Sequence, residues 1–388
     1  MIDVSEVRRV ATAFLSFVCV LVLTACSSAD DGDARRGASA ATSASTSTAT
    51  TPVSASRPLM GAAVSAVPLE TDPDYARVLG KRFDIVTSEN AMKWGPVHPD
   101  PDRYDFGGAD AIVDFAERHG QQVHGHNLVW HNYNPEWLTA GRYDEPALRR
   151  ILRRHILTVA GRYRGRIALW DVVNEAVDYT GSLRHTIWLD GIGPEYLDLA
   201  FRWAHKADPD ALLYYNDFGA EGLGPKSDAV YELVAGMIER GVPIDGVGLQ
   251  MHTTTISSPD ASGLVDPMPF RPDPGDVAAN IDRLGGLGLQ VAITELTVRV
   301  PVPATADSLA AQADVYADVM QACLDAPACS SFTTWGFTDR YSWIPGRFPG
   351  FGAALPFDAS FRPKPAYDAL CDLLADVTTA STRFCPAG

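Results

Sequence analysis

The sequence predicts an α/β protein whose folded part is a single (β/α)8 TIM barrel. Eight short apolar or β-branched runs recur along the chain, and segments with helical patterning separate them. Strand and helix in regular alternation indicate a parallel sheet, and eight such units close into a barrel. The chain of 388 residues fits one such domain. The runs begin near Leu59, Phe83, Gln122, Ile167, Ala211, Ile244, Leu289 and Phe332.

Two of the intervening segments show the helical pattern most clearly, residues 144–163 and 226–241. In the first, apolar residues recur at helical spacing and arginines take the opposite face. Asp144 is placed to cap the start of that helix, and Gly241 to end the second one.

The first 25 residues have the features of an export signal. Arg8 and Arg9 precede an apolar stretch, Val10 to Leu23, that is too short to span a bilayer comfortably. It closes with "LTAC", which resembles a bacterial lipobox and predicts that Cys26 becomes the lipid-modified N-terminus of the mature protein. The alternative is an ordinary cleaved secretion signal. Both interpretations predict an exported protein, and the first predicts a lipoprotein anchored at the membrane or cell surface.

Residues 26–57 consist mainly of Ser, Thr and Ala and contain almost no large apolar side chains. Such a segment cannot bury enough surface to offset its ordering entropy, so we predict a flexible tether. The folded domain is therefore expected over residues 58–388.

The formal net charge is −16, which argues against a nucleic-acid partner because phosphate binding needs clustered Lys and Arg. A neutral or weakly acidic ligand suits this charge better. We expect a monomer without a cofactor, in contact with a membrane only through the N-terminal lipid.

Six cysteines are present, of which Cys19 is lost with the signal and Cys26 belongs to the anchor. Zinc binding would require tighter paired spacing or a histidine partner, and it is the less favoured use of the others. An even number in an exported domain favours two disulfides. The simplest pairing is Cys323–Cys329 and Cys371–Cys385.

Polar side chains stand at the carboxyl ends of the predicted strands, where a barrel of this type carries its active site. The run "LWDVVNEAV" (169–177) ends in Asn174 and Glu175, and the run "ITEL" carries Glu295. A lone glutamate at a barrel rim would be interpreted as half of a salt bridge. Two of them on separate strands, among Asn, Gln, His, Lys and Trp, are what glycoside hydrolysis requires.

Histidines offer a competing interpretation as a metal site, because His124, His126, His131 and His252 all lie near strand ends. No acidic residue of the first strand completes such a ligand set, and Trp130 with the neighbouring amides suits sugar hydroxyls better. The sequence also contains no G-x-S-x-G elbow and no phosphate-binding glycine motif.

From about residue 58 to 376 the chain resembles glycoside hydrolase family 10, the β-1,4-xylanases. The stretches that carry the resemblance occur in the family's order and cover nearly the whole folded part. They are "SENAMKW" (88–94), "GHNLVWH" (125–131), "WDVVNEA" (170–176), "LYYND" (213–217), "GVPIDGVGLQMH" (241–252), "AITEL" (292–296) and "WGFTDRYSW" (335–343). "CLDAPAC" (323–329) also resembles a disulfide loop that many members carry before the eighth strand.

The resemblance implies that Glu175 is the general acid/base and Glu295 the nucleophile of a retaining double displacement on xylan. It implies that Asn174 and Gln250 contact the sugar being cleaved and that His252 orients Glu295. The other substrate-binding residues it implies are Glu89, Asn90, Lys93, His126, Trp130, Trp335 and Trp343. The two last tryptophans would crowd the place where glucose carries its hydroxymethyl group.

Three residues depart from the family pattern. Thr297 stands where an Asp usually follows the nucleophile, Phe218 where many members have Tyr, and His124 where Arg is common. Two other functions remain open on the sequence alone: a sugar-capturing lipoprotein, which the presence of both glutamates disfavours, and a hydrolase of mixed glucan and xylan specificity.

Overall fold

A computed structural model describes residues 57–255, 271–377 and 382–386. The predicted signal, the lipidation site Cys26 and the tether up to residue 56 lie outside these residues. Arg57, the last residue of the predicted tether, forms an ion pair with Asp84, with 2.8 Å between guanidinium Nη1 and carboxylate Oδ2. Among the described residues no helix is long and apolar enough to cross a membrane.

The described chain contains a closed barrel of eight parallel strands, which confirms the predicted fold class. The barrel strands are β1 (Leu59–Val64), β2 (Ile85–Ser88), β3 (Gln122–Val129), β4 (Leu169–Asn174), β5 (Leu212–Asp217), β6 (Gly246–Leu249), β8 (Gln290–Pro301) and β9 (Cys329–Thr334). Each pairs with its neighbours in this order, and pairing of β9 with both β8 and β1 closes the ring.

Two short strands extend β8 beyond the barrel. β7 (His252–Thr254) pairs parallel with its outer half, and β10 (Phe351–Gly352) pairs antiparallel with its end. In the first pairing His252 lies directly opposite Thr297.

Helices follow the strands on the outside of the barrel. They are α1 (Ala66–Thr71), α2 (Pro73–Arg82), α3 (Trp94–Val97), α4 (Gly107–His119), α5 (Glu136–Thr139), α6 (Glu145–Arg162), α7 (Ile187–Ile192), α8 (Tyr196–Ala207), α9 (Pro225–Glu239), α10 (Pro274–Gly285), α11 (Ala306–Asp325), α12 (Ile344–Arg347) and α13 (Pro365–Val377). Asp144 caps α6 as predicted, because its side chain accepts from the Ala147 backbone N–H at 2.9 Å. Gly241 follows α9 in the left-handed conformation, with φ of +62°.

Position 125 of the barrel can hold only a glycine, because a side chain there would collide with Trp170. Gly125 on β3 pairs with Trp170 on β4, and a Cβ at position 125 would lie 2.2 Å from the indole ring. The missing side chain lets the buried Trp170 fill the gap between the strands. In the same register His124 pairs with Leu169, and His126 pairs with Asp171.

Both predicted disulfides are present in the structure. Cys323 at the end of α11 is bonded to Cys329 at the start of β9, and Cys371 in α13 is bonded to Cys385. The first joins α11 to β9, and the second holds the C-terminal segment against the last helix.

Candidate active site

The two predicted catalytic glutamates lie at the carboxyl end of the barrel. Glu175 immediately follows β4 and has a left-handed backbone, with φ of +58°, a conformation uncommon for a residue with a side chain. Its N–H donates to the carbonyl of Asn216 at 2.8 Å, and its own carbonyl accepts from Arg184 Nε at 3.0 Å. These two contacts hold the turn that directs the strand end into the barrel mouth.

Glu295 lies within β8 and is 4% exposed. Asn216 Nδ2 donates to its Oε1 at 2.7 Å, and His252 Nε2 lies 3.2 Å from its Oε2. Both carboxylate oxygens therefore have a partner within the barrel, so the side chain is held in one orientation.

An amide network connects the two carboxyl groups. Asn216 Nδ2 donates to Asn174 Oδ1 at 2.9 Å as well as to Glu295, and Gln250 Nε2 donates to Asn174 Oδ1 at 3.2 Å and to Glu175 Oε1 at 3.0 Å. β4 and β5 place Asn174 opposite Asn216. The network thus follows from strand register and gives each carboxyl group a fixed donor.

The surroundings of Glu175 favour its protonated form. Burial raises the pKa of Glu175 to about 7, and the nearby charges of Asp217 and Glu295 act in the same direction, against the hydrogen bond from Gln250. His131 Nδ1 lies 3.8 Å from Glu175 Oε2. Burial lowers the pKa of His131 to about 4, so this ring is neutral at the pH where Glu175 titrates.

The pKa of Glu295 is shifted in the opposite direction, below its ordinary value. Burial opposes its ionisation, but the hydrogen bond from His252 and then the electrostatic interaction with His126 are the largest effects that oppose burial, and the pKa of Glu295 lies below its ordinary value. One barrel mouth therefore holds a protonated and an ionised carboxyl group at the same pH. This is the division of roles that two-carboxylate catalysis needs.

Lys93 occupies the wall next to the two glutamates. Its Nζ donates to Asn90 Oδ1 at 2.9 Å and lies 5.0 Å from the ring centroid of Trp130 and 5.7 Å from that of Trp335. Burial lowers the pKa of Lys93, while the carboxylates of Glu295 and Glu89 oppose the shift. Lys93 thus links the predicted residues Asn90, Trp130 and Trp335.

Trp335 and Trp343 pack edge-on against the histidines of the site. The rings of Trp335 and His126 have centroids 5.0 Å apart, as do those of Trp343 and His252. Trp335 is buried, and Trp343 is partly exposed. The structure therefore brings every predicted catalytic and substrate-binding residue to one end of the barrel.

Comparison with known proteins identifies the family. The sequence profile of Glycosyl hydrolase family 10 matches residues 50–373. The chain belongs to glycosyl hydrolase family 10. Endo-1,4-beta-xylanase B of Thermotoga neapolitana is 43% identical over 303 residues, which cover 78% of this chain and 84% of that protein. Endo-1,4-beta-xylanase 2 of Aureobasidium pullulans is 40% identical over 309 residues, covering 79% and 84% respectively.

Solved structures agree with this membership of family 10. Xylanase 10B from Thermotoga petrophila RKU-1, in complex with xylobiose, superposes with a TM-score of 0.77 at 41% sequence identity. The match covers 83% of this chain and 95% of that one. An endo-1,4-beta-xylanase of Penicillium canescens superposes with a TM-score of 0.75 at 34% identity, over 82% of this chain and 94% of its own.

Two residues of this family 10 site were missed by sequence reasoning. Asn216 belongs to the "LYYND" run (213–217), but only the strand register shows that it joins both glutamates. Tyr133 lies in the loop after β3, is 56% exposed and has φ of +57°. Its ring stacks on Trp130 with 5.5 Å between centroids and lies 4.3 Å from Lys93 Nζ. The sequence carries no signal for Tyr133, because the loop has no periodicity.

The histidines of the alternative metal interpretation are divided among three carboxylates. His124 Nε2 and His126 Nδ1 lie 2.9 and 2.8 Å from the two oxygens of Asp171, and the other two rings lie beside Glu175 and Glu295. Within the described ranges no group of three or more His, Cys, Asp or Glu side chains is arranged to hold a metal ion.

The three departures from the family pattern occupy different positions. Thr297 Oγ1 lies 3.0 Å from His252 Nδ1. Phe218 lies beside the buried ion pair of Lys226 with Asp217, with 3.9 Å between its ring centroid and Lys226 Nζ. His124 partners Asp171. Of the three, Thr297 contacts a residue, His252, that lies against one of the two predicted catalytic glutamates, Glu295.

Glu175→Gln is expected to stabilise the protein at pH 8 but not at pH 4. The pKa of Glu175 rises from an ordinary 4.5 to about 7 on folding. Between these values the folded state keeps a proton that the unfolded state releases, so stability falls as pH rises. Above both values the folded state loses roughly 3 kcal/mol of stability, and the neutral amide of the Gln variant avoids this loss.

Thermal unfolding at pH 4 and pH 8 measures the change in stability, with the exposed Glu232→Gln as control. An equal change at both values would contradict the assignment.

Proposed function

We propose that this protein hydrolyses internal β-1,4-xylosidic bonds in xylan or xylo-oligosaccharides by a retaining double displacement. The observation that carries the proposal is the opposite pKa perturbation of two buried glutamates in one barrel mouth, raised for Glu175 and lowered for Glu295. The relatives are endo-1,4-beta-xylanases, which supports the proposed substrate class and the internal position of cleavage.

In the first step Glu295 attacks the anomeric carbon while Glu175 gives its proton to the departing glycosidic oxygen. The nucleophile is ionised and held by Asn216 and His252. Asn174 lies between both carboxyl groups, where its amide can hold the 2-hydroxyl of the sugar under attack, a hydrogen bond that strengthens in the transition state.

In the second step the ionised Glu175 takes a proton from water, and that water attacks the glycosyl-enzyme ester. Glu295 leaves as a carboxylate, and the anomeric configuration is that of the substrate. Each step thus uses the same two groups, and Glu175 returns to its protonated form.

The aromatic wall formed by Trp335 and Trp343 favours xylose over glucose. Trp343 packs against His252, and Trp335 against His126, so neither indole can withdraw without disturbing a site histidine. A site that cannot rearrange excludes a larger sugar strongly.

The test is to incubate the purified protein with xylan, xylo-oligosaccharides, cellulose and mixed-linkage glucan and to follow product lengths. Equal rates on matched xylosides and glucosides would favour the mixed-specificity alternative.

Tyr133 adds an exposed aromatic face beside Trp130 and Lys93. Tyr133→Ala should lower kcat/KM roughly tenfold on long xylo-oligosaccharides, because a sugar stacked on the ring loses that contact. Aryl xylosides with a single sugar should be affected little, and Tyr133→Phe should behave like the unchanged protein. An equal loss on all lengths would instead indicate a disturbed Lys93 or Trp130.

The N-terminal sequence supports a proposal on location. We infer that Cys26 is lipid-modified and anchors the barrel outside the cytoplasm through the Ser/Thr/Ala-rich tether. Mass spectrometry of the N-terminal peptide from the native host should find acyl mass on Cys26. An unmodified peptide, or one that starts elsewhere, would support the secreted alternative.

A further inference from the structure

His252 lies between two buried groups of β8. Its Nε2 is 3.2 Å from Glu295 Oε2, and its Nδ1 is 3.0 Å from Thr297 Oγ1. Cross-strand pairing of β7 with β8 sets His252 opposite Thr297, whose side chain is 0% exposed. The edges of Trp343 and Trp335 confine the imidazole on other sides. The ring is therefore held by four contacts, two polar and two aromatic.

The hydrogen-bonding capacity of these groups decides where the imidazole proton is. An ionised carboxylate only accepts, so the nitrogen facing Glu295, Nε2, must carry hydrogen. The Thr297 hydroxyl can donate or accept, and within the described ranges its hydrogen-bond partner is His252 Nδ1. If Nδ1 also carried hydrogen, the hydroxyl proton would be buried without an acceptor in this part of the chain. A donating hydroxyl leaves every group satisfied.

We propose that Thr297 is a positioning residue whose hydroxyl donates to His252 Nδ1 and keeps the ring as the neutral tautomer that donates from Nε2 to Glu295. The nucleophile is then oriented by a neutral donor. A carboxylate at position 297 could only accept from Nδ1, and it would favour an imidazolium beside Glu295. The link to catalysis rests on the proposed function, since it takes Glu295 as the nucleophile.

Other charged groups around the pair stay constant when only position 297 is changed. His252 itself faces Glu295, Thr297 and two uncharged indole rings. The groups that interact electrostatically with Glu295 are Glu89, Lys93, His126, Asp171 and Glu175. A change in the ionisation of Glu295 among variants of Thr297 therefore reports on His252.

Nitrogen NMR of the histidine-labelled protein tests the tautomer directly. At the pH of maximal activity the His252 signals, assigned by their absence from His252→Gln, should show hydrogen on Nε2 and none on Nδ1. In Thr297→Asp the imidazolium should persist to higher pH. Hydrogen on Nδ1 of the unchanged protein would overturn the proposal. This experiment does not depend on activity, so it stands apart from the proposed function.

The pH dependence of kcat/KM tests the consequence for Glu295, on an aryl xylobioside whose good leaving group needs little protonation. The acid limb reports ionisation of the free enzyme's nucleophile. Thr297→Asp should move this limb down by about one unit, because Glu295 then faces a cation. Thr297→Val should move it up, because the donor to Glu295 is less well held, and Thr297→Ser should leave it in place.

A merely structural role of Thr297 predicts a different pattern. Loss of packing would lower kcat/KM in Thr297→Val without moving the acid limb, and that result would refute the positioning role. If the Asp variant does not fold, as judged by circular dichroism, the Val and Ser variants still decide the matter. If Glu295→Ala kept full activity, the proposed function would fail while the NMR result could still hold.

Discussion

Glu295→Ala is expected to lower kcat/KM by roughly 10⁵-fold on every β-xyloside, whatever its leaving group. Without this carboxylate no glycosyl-enzyme ester can form, and a better leaving group does not replace the missing bond. The measurement is steady-state kinetics on xylan and on aryl xylobiosides of graded leaving-group pKa. A loss that shrinks as the leaving group improves would contradict the nucleophile assignment.

The control for this variant must separate chemistry from folding. Alanine removes the acceptor of His252 Nε2 and one of the two acceptors of Asn216 Nδ2, which keeps its hydrogen bond to Asn174. Buried donors without an acceptor lower stability by about 1–3 kcal/mol each. Glu295→Gln keeps the volume and one oxygen, and it should lose activity to the same degree with less loss of stability. Near-normal rates in the Gln variant would mean that Glu295 only orients the substrate.

Much of this fold could be predicted because most barrel strands contain a short buried run of apolar or β-branched residues. Seven of the eight predicted starts lie within two residues of the observed strands. The eighth differs, since β9 begins at Cys329 and not near Phe332. Cys329 and Ser331 pair with β8, and Ser331 pairs also with Leu59 of β1. Backbone pairing there starts before the apolar run, and hydrophobicity alone cannot detect it.

Sequence alone could predict those site residues that stand at the carboxyl ends of barrel strands, because these ends converge. Asn174, Glu175 and Glu295 follow from that rule, because a parallel barrel brings all carboxyl ends of its strands to one mouth. The part played by Asn216 could be recognised only from the observed strand register, which sets it opposite Asn174. The position of Tyr133 could be recognised only from the conformation of its loop. The tautomer proposed for His252 rests on the distances from its two nitrogens to Thr297 and Glu295, because neither sequence spacing nor burial indicates which nitrogen faces which group.

Glu175→Ala should fail in a way that depends on the substrate. On xylan the leaving oxygen must be protonated, and loss of the general acid is expected to lower the rate about 10²- to 10⁴-fold. An aryl xylobioside with a good leaving group needs little protonation, so its glycosylation step should survive far better. The ester intermediate should then accumulate, visible as a burst of released phenol. Equal losses on both substrates would contradict the acid/base assignment.

Azide distinguishes the two glutamates by the stereochemistry of the product. In Glu175→Ala, azide can attack the ester on Glu295 and give a β-glycosyl azide, with net retention. In Glu295→Ala, azide can enter the space of the lost carboxylate and attack the substrate directly, which gives an α-glycosyl azide with inversion. NMR of the products identifies each anomer, and the unchanged enzyme should release the β-anomer first. Initial release of the α-anomer would mean an inverting mechanism, in which Glu295 activates water and forms no ester.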